Sequence, residues 1–182
     1  MYQKMCKFVI VLDFQCKVII FLLSCMKISL IVTGKTDSKW LHEGIEVYCK
    51  RLKFYTPFEI KVIPDLKNTK SLPVGQQKIL EGRQMLQALA DKEDIFLLDE
   101  GGKTFSSVEF SQFMEKKMMS SCRELVFVVG GPWGFSPEVK NRAKGEISLS
   151  KMTFSHQMVR LLFVEQLYRA FTIIKGEPYH NE

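Results

Sequence analysis

The sequence is poor in the residue types that build metal sites and disulfide frameworks. Its 182 residues include three histidines and five cysteines, and the cysteines, at positions 6, 16, 25, 49 and 122, form no CxxC pair. An odd number of cysteines without paired spacing predicts neither a disulfide framework nor a zinc site. We therefore expect a protein without a bound metal that works in the reducing environment of the cytoplasm.

Several signatures of nucleotide-binding and hydrolytic enzymes are also missing. No GxGxxG follows the first predicted strand, no GxxxxGK(S/T) occurs, and no GxSxG marks a nucleophilic serine. The first two absences exclude the usual dinucleotide and triphosphate sites, because those motifs place backbone amides, and in the second case a lysine, against phosphate. The third absence leaves a nucleophilic hydrolase poorly supported.

Long hydrophobic runs are absent as well. The apolar run near the N-terminus, residues 18–23, is far short of the ~20 residues of a membrane-spanning helix. Lysines come first in residues 1–25 and small residues, Ser24 and Cys25, come last, so a signal peptide is one interpretation. We favour another, in which Met26 opens the domain and residues 1–25 are an extension, loosely attached and without function.

Charge of one sign is only mildly in excess. The formal net charge is +6, and residues 1–25 carry three lysines and one aspartate, which leaves 23 basic and 19 acidic residues after them. Basic clusters such as residues 50–53 and 140–144 either meet a polyanion or form solvated helix faces. This balance predicts limited affinity for free RNA.

What the sequence does contain is an alternation of strands and helices. Short apolar runs predict five strands, and helical spacing of apolar residues predicts a helix after each of them. Such a pattern is typical of an α/β domain, spanning residues 26–182, with a largely parallel sheet and helices on both faces. The predicted strands are 28–32, 58–62, 95–98, 125–129 and 146–150, and the helices are 37–52, 73–90, 106–114, 138–143 and 155–175.

Three of the predicted strands end in segments with turn chemistry. They are residues 98–102, 130–134 and 149–154, and ligands of parallel sheets bind beyond the carboxyl ends of the strands. The glycine-rich stretch "VVGGPWG" has no adjacent basic residue, which favours a neutral or cationic nucleoside-type ligand over a phosphate. A tight turn without a ligand is the alternative.

The last predicted helix is apolar over more than one face, which is typical of a helix buried on several sides. We therefore expect it to contribute to a subunit interface as well as to the core.

Five segments together resemble one enzyme family. The segments "EGRQML" (81–86), "LLDEGG" (97–102), "VVGGPWGFS" (128–136), "LSKMTFSHQMVRLLFVEQLYRA" (149–170) and "PYHNE" (178–182) are similar to the ribosomal RNA large subunit methyltransferase H family. The resemblance covers residues 26–182 and implies the SPOUT fold, with a deep trefoil knot in its C-terminal part, and a homodimer. It also implies methyl transfer from S-adenosylmethionine to N3 of a pseudouridine of large-subunit rRNA in the assembled ribosome.

The resemblance also implies roles for particular residues. The cofactor is expected at the three strand ends, on Leu98, Gly130, Leu149, Ser150, Lys151, Met152, Thr153 and Phe154. The imide N3–H of the target base is a weak acid, so its proton must be removed or shared, and we expect His180, with Tyr179, to do this. His156 and Arg160 share one helix face and either bind RNA or organise the knot.

Two positions depart from the family pattern, and two other functions compete. Trp133 stands where many members have a small or acidic residue, and Asn181 follows His180 where a basic residue is common. A SPOUT methyltransferase acting on tRNA is the first alternative function. A non-catalytic ribosome-binding factor is the second, and cofactor binding distinguishes it from an enzyme.

Overall fold

In a computed structural model of the chain, the structure describes residues 26–66 and 72–180. It also describes two short N-terminal strands, β1 (Val9–Val11) and β2 (Ile19–Phe21), which pair antiparallel. The other residues of the predicted N-terminal extension lie outside the described residues. The expectation that residues 1–25 are loosely attached and without function therefore stays a prediction, as does the division of the chain into extension and domain.

Strands and helices alternate through the described chain as the sequence predicts. In chain order after β2 they are β3 (Lys27–Thr33), α1 (Lys39–Leu52), β4 (Phe58–Ile63), α2 (Val74–Ala88), β5 (Asp94–Thr104), α3 (Ser107–Met119), β6 (Glu124–Val129), α4 (Pro137–Arg142), β7 (Gly145–Ser148) and α5 (His156–Ile174).

The other five strands, β3 to β7, form one sheet in the order β4-β3-β6-β5-β7, and every pair in it is parallel. The predicted α/β class is confirmed. Since all strands run the same way, their carboxyl ends meet at a single edge of the sheet. The strand order does not decide whether the chain is knotted, so the trefoil knot stays a prediction.

Two apolar cores cover the two faces of this sheet. On β3 the side chains of Ile28, Leu30 and Val32 join one core, while Ile31 joins the other, as the period of two in a strand requires. The first core is completed by α1, α3 and α5, and the second by α2 and α4. Helices therefore lie on both faces, as predicted.

Strand β5 is longer than the sequence indicates. The prediction ends it at Leu98, but it continues to Thr104 after a register shift against β7 between Leu98 and Lys103. At Gly102 a Cβ would lie only 2.5 Å from the carbonyl carbon of Glu146, so the two backbones can approach this closely only because the residue is glycine. Residues 98–102, which the sequence assigns to a turn, therefore lie within this strand, at the register shift.

Side-chain caps fix the starts of the two helices nearest that edge on the first face. Ser106 Oγ accepts from Glu109 N (3.1 Å) and Glu109 Oε2 accepts from Ser106 N (2.7 Å), which is a capping box on α3. Ser155 Oγ accepts from Met158 N (3.3 Å) at the start of α5. In the part of the chain that the structure describes, no helix is long and apolar enough to cross a membrane.

Candidate active site

The three loops that the sequence singles out surround one cavity of about 590 Å³ at the carboxyl edge of the sheet. Its walls come from residues 98–100 of β5, where the pairing with β7 shifts register, from the loop after β6 and from the segment between β7 and α5. Seven of the eight residues expected to hold the cofactor line this cavity, and Lys151 does not: the seven are Leu98, Gly130, Leu149, Ser150, Met152, Thr153 and Phe154.

The glycine loop after β6, residues 130–134, forms one wall. Gly134 N donates to Gly131 O (3.1 Å), and Gly134 has a positive φ of 71°, a conformation that favours glycine. The ring of Phe135 lies beneath Gly130, where an added Cβ would be 3.3 Å from the ring. The loop is therefore a tight turn that packs on the ring of Phe135. At Gly130 and Gly131 it lines the cavity with backbone atoms rather than side chains.

The segment after β7 forms the opposite wall and contacts the end of β5. Within it, Ser148 Oγ donates to Ser150 O (2.7 Å) and Ser150 Oγ accepts from Met152 N (3.0 Å). Thr153 Oγ1 donates to Glu100 Oε2 (2.6 Å), which joins the first and third loops directly. The cavity is thus closed on one side by a side-chain contact between loops that are 53 positions apart.

Charged residues that sequence reasoning did not assign also line the cavity. Asp99 lies 3.4 Å from Lys140, and Lys140 lies 2.9 Å from Glu146, whose hydrogen bond raises the pKa of the lysine. Asp99 and Glu100 are the acid pair that ends "LLDEGG", so the sequence signal existed. Lys140 belongs to the basic cluster 140–144, whose two interpretations did not include a place on this cavity. Lys78 gave no signal, because a lysine on a helix is usually a solvated residue.

Three large apolar side chains on the cavity wall remain partly open to solvent. Trp133 is 44 % exposed, Met152 72 % and Phe154 37 %, and all three line the cavity. Trp133, which departs from the family pattern, thus forms part of the cavity wall. The mouth of the cavity is therefore apolar and accessible.

The first residue of α5, His156, also lines the cavity. Burial lowers the pKa of His156, and so does the charge of Arg160, while the carboxylates of Asp37, Asp65 and Glu81 act in the opposite direction. The net lowering favours the neutral imidazole at pH 7.

Arg160 is buried, and its guanidinium donates hydrogen bonds within the chain. Its exposed fraction is 1 %, Nη2 donates to Thr33 O (2.6 Å), and Nη1 donates to Gly34 O (3.0 Å) and Thr36 Oγ1 (3.1 Å). These bonds tie α5 to the turn that follows β3. This placement favours the organising alternative for Arg160, and a contact with RNA would need these bonds to break.

The C-terminal Tyr179 and His180 lie near the other end of α5. Tyr179 Oη donates to Glu165 Oε1 (3.1 Å), the Arg169 guanidinium lies 4.7 Å from the ring centroid of Tyr179, and Arg169 Nη1 is 3.4 Å from His180 Nδ1. Burial raises the pKa of the Tyr179 phenol, and its hydrogen bond with Tyr48 acts in the same direction. Val159 is the last residue of α5 on the cavity wall, and Glu165 and Arg169 follow it by 6 and 10 positions. The residues that hold the tail therefore lie about 9–15 Å along the helix from the cavity of its own chain.

Comparisons with known proteins show the family to which the chain belongs. The sequence profile of the family described as "Predicted SPOUT methyltransferase" matches residues 26–180. Proteins called ribosomal RNA large subunit methyltransferase H are similar to this chain: the one from Parabacteroides distasonis is 57 % identical over 157 residues, and the one from Flavobacterium johnsoniae is 55 % identical over 157 residues. In both cases the match covers 86 % of this chain and 100 % of the relative.

Solved structures with a similar chain trace are more distant. A probable methyltransferase from Bordetella pertussis Tohama I gives a TM-score of 0.49 at 13 % identity, covering 81 % of this chain and 98 % of that one. A tRNA (m1G37) methyltransferase from Aquifex aeolicus gives 0.48 at 16 % identity, covering 86 % and 75 %. At these scores neither carries an argument about the site.

The family profile and the cavity at three strand ends define the class of protein as a SPOUT methyltransferase. Within that class the chain belongs to the ribosomal RNA large subunit methyltransferase H family. The resemblance seen in the sequence motifs is thus confirmed, and so is the expectation of an enzyme of the methyltransferase class.

Proposed function

We propose that this protein is an rRNA methyltransferase that transfers the methyl group of S-adenosylmethionine to N3 of a pseudouridine in large-subunit rRNA. The single observation that carries the proposal is the cavity of about 590 Å³, because it gathers seven of the eight residues that the family resemblance assigns to the cofactor. The relatives that bear the name of an rRNA methyltransferase, at 52–57 % identity, support the same substrate class.

The residues present fit S-adenosylmethionine. The cavity volume lies within the range of about 300–1,000 Å³ that is usual for small-molecule sites. Gly130 and Gly131 let the backbone approach a ligand closely, and Leu98, Leu149 and Phe154 supply apolar walls. When bound, S-adenosylmethionine supplies an electrophilic methyl group, so the protein needs mainly to position the acceptor.

The exposed apolar mouth of the cavity is where we place the acceptor base. Trp133 and Phe154 offer ring faces, and base–aromatic stacking is insensitive to sequence but strong enough to hold an unpaired base. A base that is displayed or flipped from its loop can enter such a mouth, whereas a paired base cannot. Trp133 therefore has a role that does not require the small or acidic residue common at this position.

We further propose that the enzyme is a homodimer whose active site combines two chains. His180 and Tyr179 are the residues we assign to the N3 proton, but the α5 residues that hold them lie about 9–15 Å along the helix from the cavity of their own chain. A tail from the partner protomer removes this conflict, because a two-fold dimer can place the end of one α5 beside the cavity of the other. Arg169 and Glu165 would then position the tail through their contacts with Tyr179 and His180.

The same proposal makes the assembled ribosome the substrate and the cytoplasm the location. The net charge of +6 is small for a protein that must hold free RNA by charge alone. A shaped ribosomal surface supplies the missing affinity through many contacts. RNA contact by His156 fits its place on the cavity wall, whereas Arg160 acts as an organiser of that wall.

The test is methyl transfer to ribosomes from a strain that lacks this protein, with the modified nucleotide mapped by mass spectrometry. The expected result is one methyl group on N3 of a large-subunit pseudouridine, and no transfer to bulk tRNA. Methylation of tRNA alone would favour the first alternative. Binding to ribosomes without any calorimetric signal for S-adenosylmethionine would favour a non-catalytic factor.

A further inference from the structure

A buried acidic side chain lies directly behind the glycine loop. Glu81, in the middle of α2, is only 5 % exposed. Its Oε1 accepts from Gln77 Nε2 (3.0 Å), but its Oε2 has no hydrogen-bond partner among the described residues. An unpaired carboxylate oxygen in the interior is costly, so its presence calls for a physical reason.

The unpaired oxygen faces the wall of the cavity. A Cβ on Gly131 would lie 2.6 Å from Glu81 Oε2, so only the glycine Cα separates the carboxylate from the loop. Gly131 lines the cavity, and so does Lys78, one helical turn before Glu81. Only the backbone of Gly131 therefore stands between the carboxylate and the cavity.

The next position of α2 repeats this close approach. At Gly82 a Cβ would be 2.4 Å from Ser136 Oγ, and Ser136 directly follows the loop and Phe135. Residues 81 and 82 thus press α2 against both ends of residues 131–136. This packing fixes the carboxylate in place, because it cannot retreat from the loop.

The charge of Glu81 is not neutralised within the described part of the chain. No lysine, arginine or histidine there lies within ion-pair distance of its carboxylate, whereas the other cavity acid, Asp99, has Lys140 at 3.4 Å. Its field reaches the cavity, since it is one of the charges that act to raise the pKa of His156 against the larger lowering by burial. A cationic ligand behind Gly131 would supply the missing positive charge.

We propose that Glu81 is a positioning residue whose fixed negative charge, acting through the glycine loop, makes the cavity prefer the sulfonium cofactor to its demethylated product. The inference rests on the proposed function, because it takes S-adenosylmethionine as the ligand. The cofactor carries one positive charge more than S-adenosylhomocysteine, and the two are otherwise nearly the same size. A charge-selecting wall therefore favours binding of the methyl donor and release of the product.

The test compares the affinities of both ligands by calorimetry on the full-length protein and on Glu81→Gln, which keeps the shape and the contact with Gln77. For a charge a few ångströms behind the wall, we expect the ratio of S-adenosylmethionine to S-adenosylhomocysteine affinity to fall roughly five- to thirtyfold. Glu81→Asp, which keeps the charge, should retain most of the ratio. Glu138→Gln, an exposed acid on α4, should leave the ratio unchanged.

Gly131→Ala tests the same contact from the side of the loop. Its added Cβ collides with Glu81 Oε2, so it displaces the loop or the carboxylate, and the affinity for S-adenosylmethionine should fall. Equal losses for both ligands in Glu81→Gln would overturn the proposal, and so would an unchanged ratio. If the unaltered protein bound neither ligand, the proposed function would fail instead, and the two failures are thereby distinguishable. Should Glu81→Gln not fold, Glu81→Asp serves as the test. Loss of the preference for S-adenosylmethionine in this variant, which keeps the charge, would contradict the proposal.

Discussion

The two ends of α5 contribute different things to the enzyme. At the N-terminal end, His156 lines the cavity and Arg160 is locked into carbonyl groups of the turn after β3. At the C-terminal end, Glu165 and Arg169 hold a tail in which Tyr179 and His180 stay partly exposed. One end belongs to the cavity wall, and the other holds the side chains to which we assign the proton transfer. In the proposed homodimer the two ends of one helix therefore serve different sites.

The largest expected effect is a loss of stability when Arg160, at the N-terminal end of α5, is replaced. Arg160→Ala leaves the carbonyl oxygens of Thr33 and Gly34 without their donors, so we expect a loss of about 3–5 kcal/mol in the free energy of unfolding. Urea unfolding measures it. Arg160→Lys should lose less, since it keeps one cationic donor. A stable Arg160→Ala protein with weakened ribosome binding would instead make Arg160 an RNA contact.

The next largest effect is a lower rate of methyl transfer when His180 in the C-terminal tail is replaced. His180→Ala should lower the single-turnover rate of methyl transfer by about 10²–10⁴, the usual contribution of a positioned acid or base. The affinity for S-adenosylmethionine should change much less, because His180 is assigned to the acceptor base and none of the residues expected to hold the cofactor lies in the tail. His42→Ala, on the exposed face of α1, is the matched control and should have full activity. Full activity in His180→Ala would show that another group handles the proton.

A smaller effect is expected at the mouth of the cavity. Trp133→Ala should raise the KM for ribosomes about tenfold or more, since loss of one stacked base costs about 1–3 kcal/mol. Binding of S-adenosylmethionine should change much less. Trp40→Ala removes the other tryptophan, which is 58 % exposed on α1, and should leave KM unchanged. Equal effects of both substitutions would contradict a stacking role for Trp133.

The smallest effect lies at the opposite edge of the sheet and is seen only in acid. Burial acts to raise the pKa of Asp94, but hydrogen bonds from Lys117 and Lys144 outweigh it and lower the pKa from 3.8 to about 2. A lowered pKa in the folded state means that this stabilisation is present above pH 4 and is lost as the pH falls toward 2. Between pH 4 and pH 2, the urea concentration at the unfolding midpoint should fall less steeply with pH in Asp94→Asn than in the unaltered protein. Parallel curves for the two proteins would contradict the assignment.

The sequence predicts the cavity better than it predicts the ends of α5. Strand periodicity locates the end of β6 and the point in β5, Leu98, at which the register shift against β7 begins. Parallel pairing brings these two points together, so Leu98 and Gly130 could be foreseen. The continuation of β5 to Thr104 could not, because it depends on Gly102 meeting the backbone of Glu146, 44 positions away. The burial of Arg160 likewise depends on carbonyls about 127 positions away, whereas an arginine in a helix is usually exposed.

The central claim is that each active site takes its cavity from one protomer and its tail from the other. The most direct test mixes two variants that are inactive alone: Gly130→Val, whose side chain would displace the loop over Phe135, and His180→Ala. After subunit exchange, about one quarter of normal activity should return, because half of the dimers are mixed and each mixed dimer has one intact site. No recovery of activity, with mixed dimers confirmed by native mass spectrometry, would contradict the account.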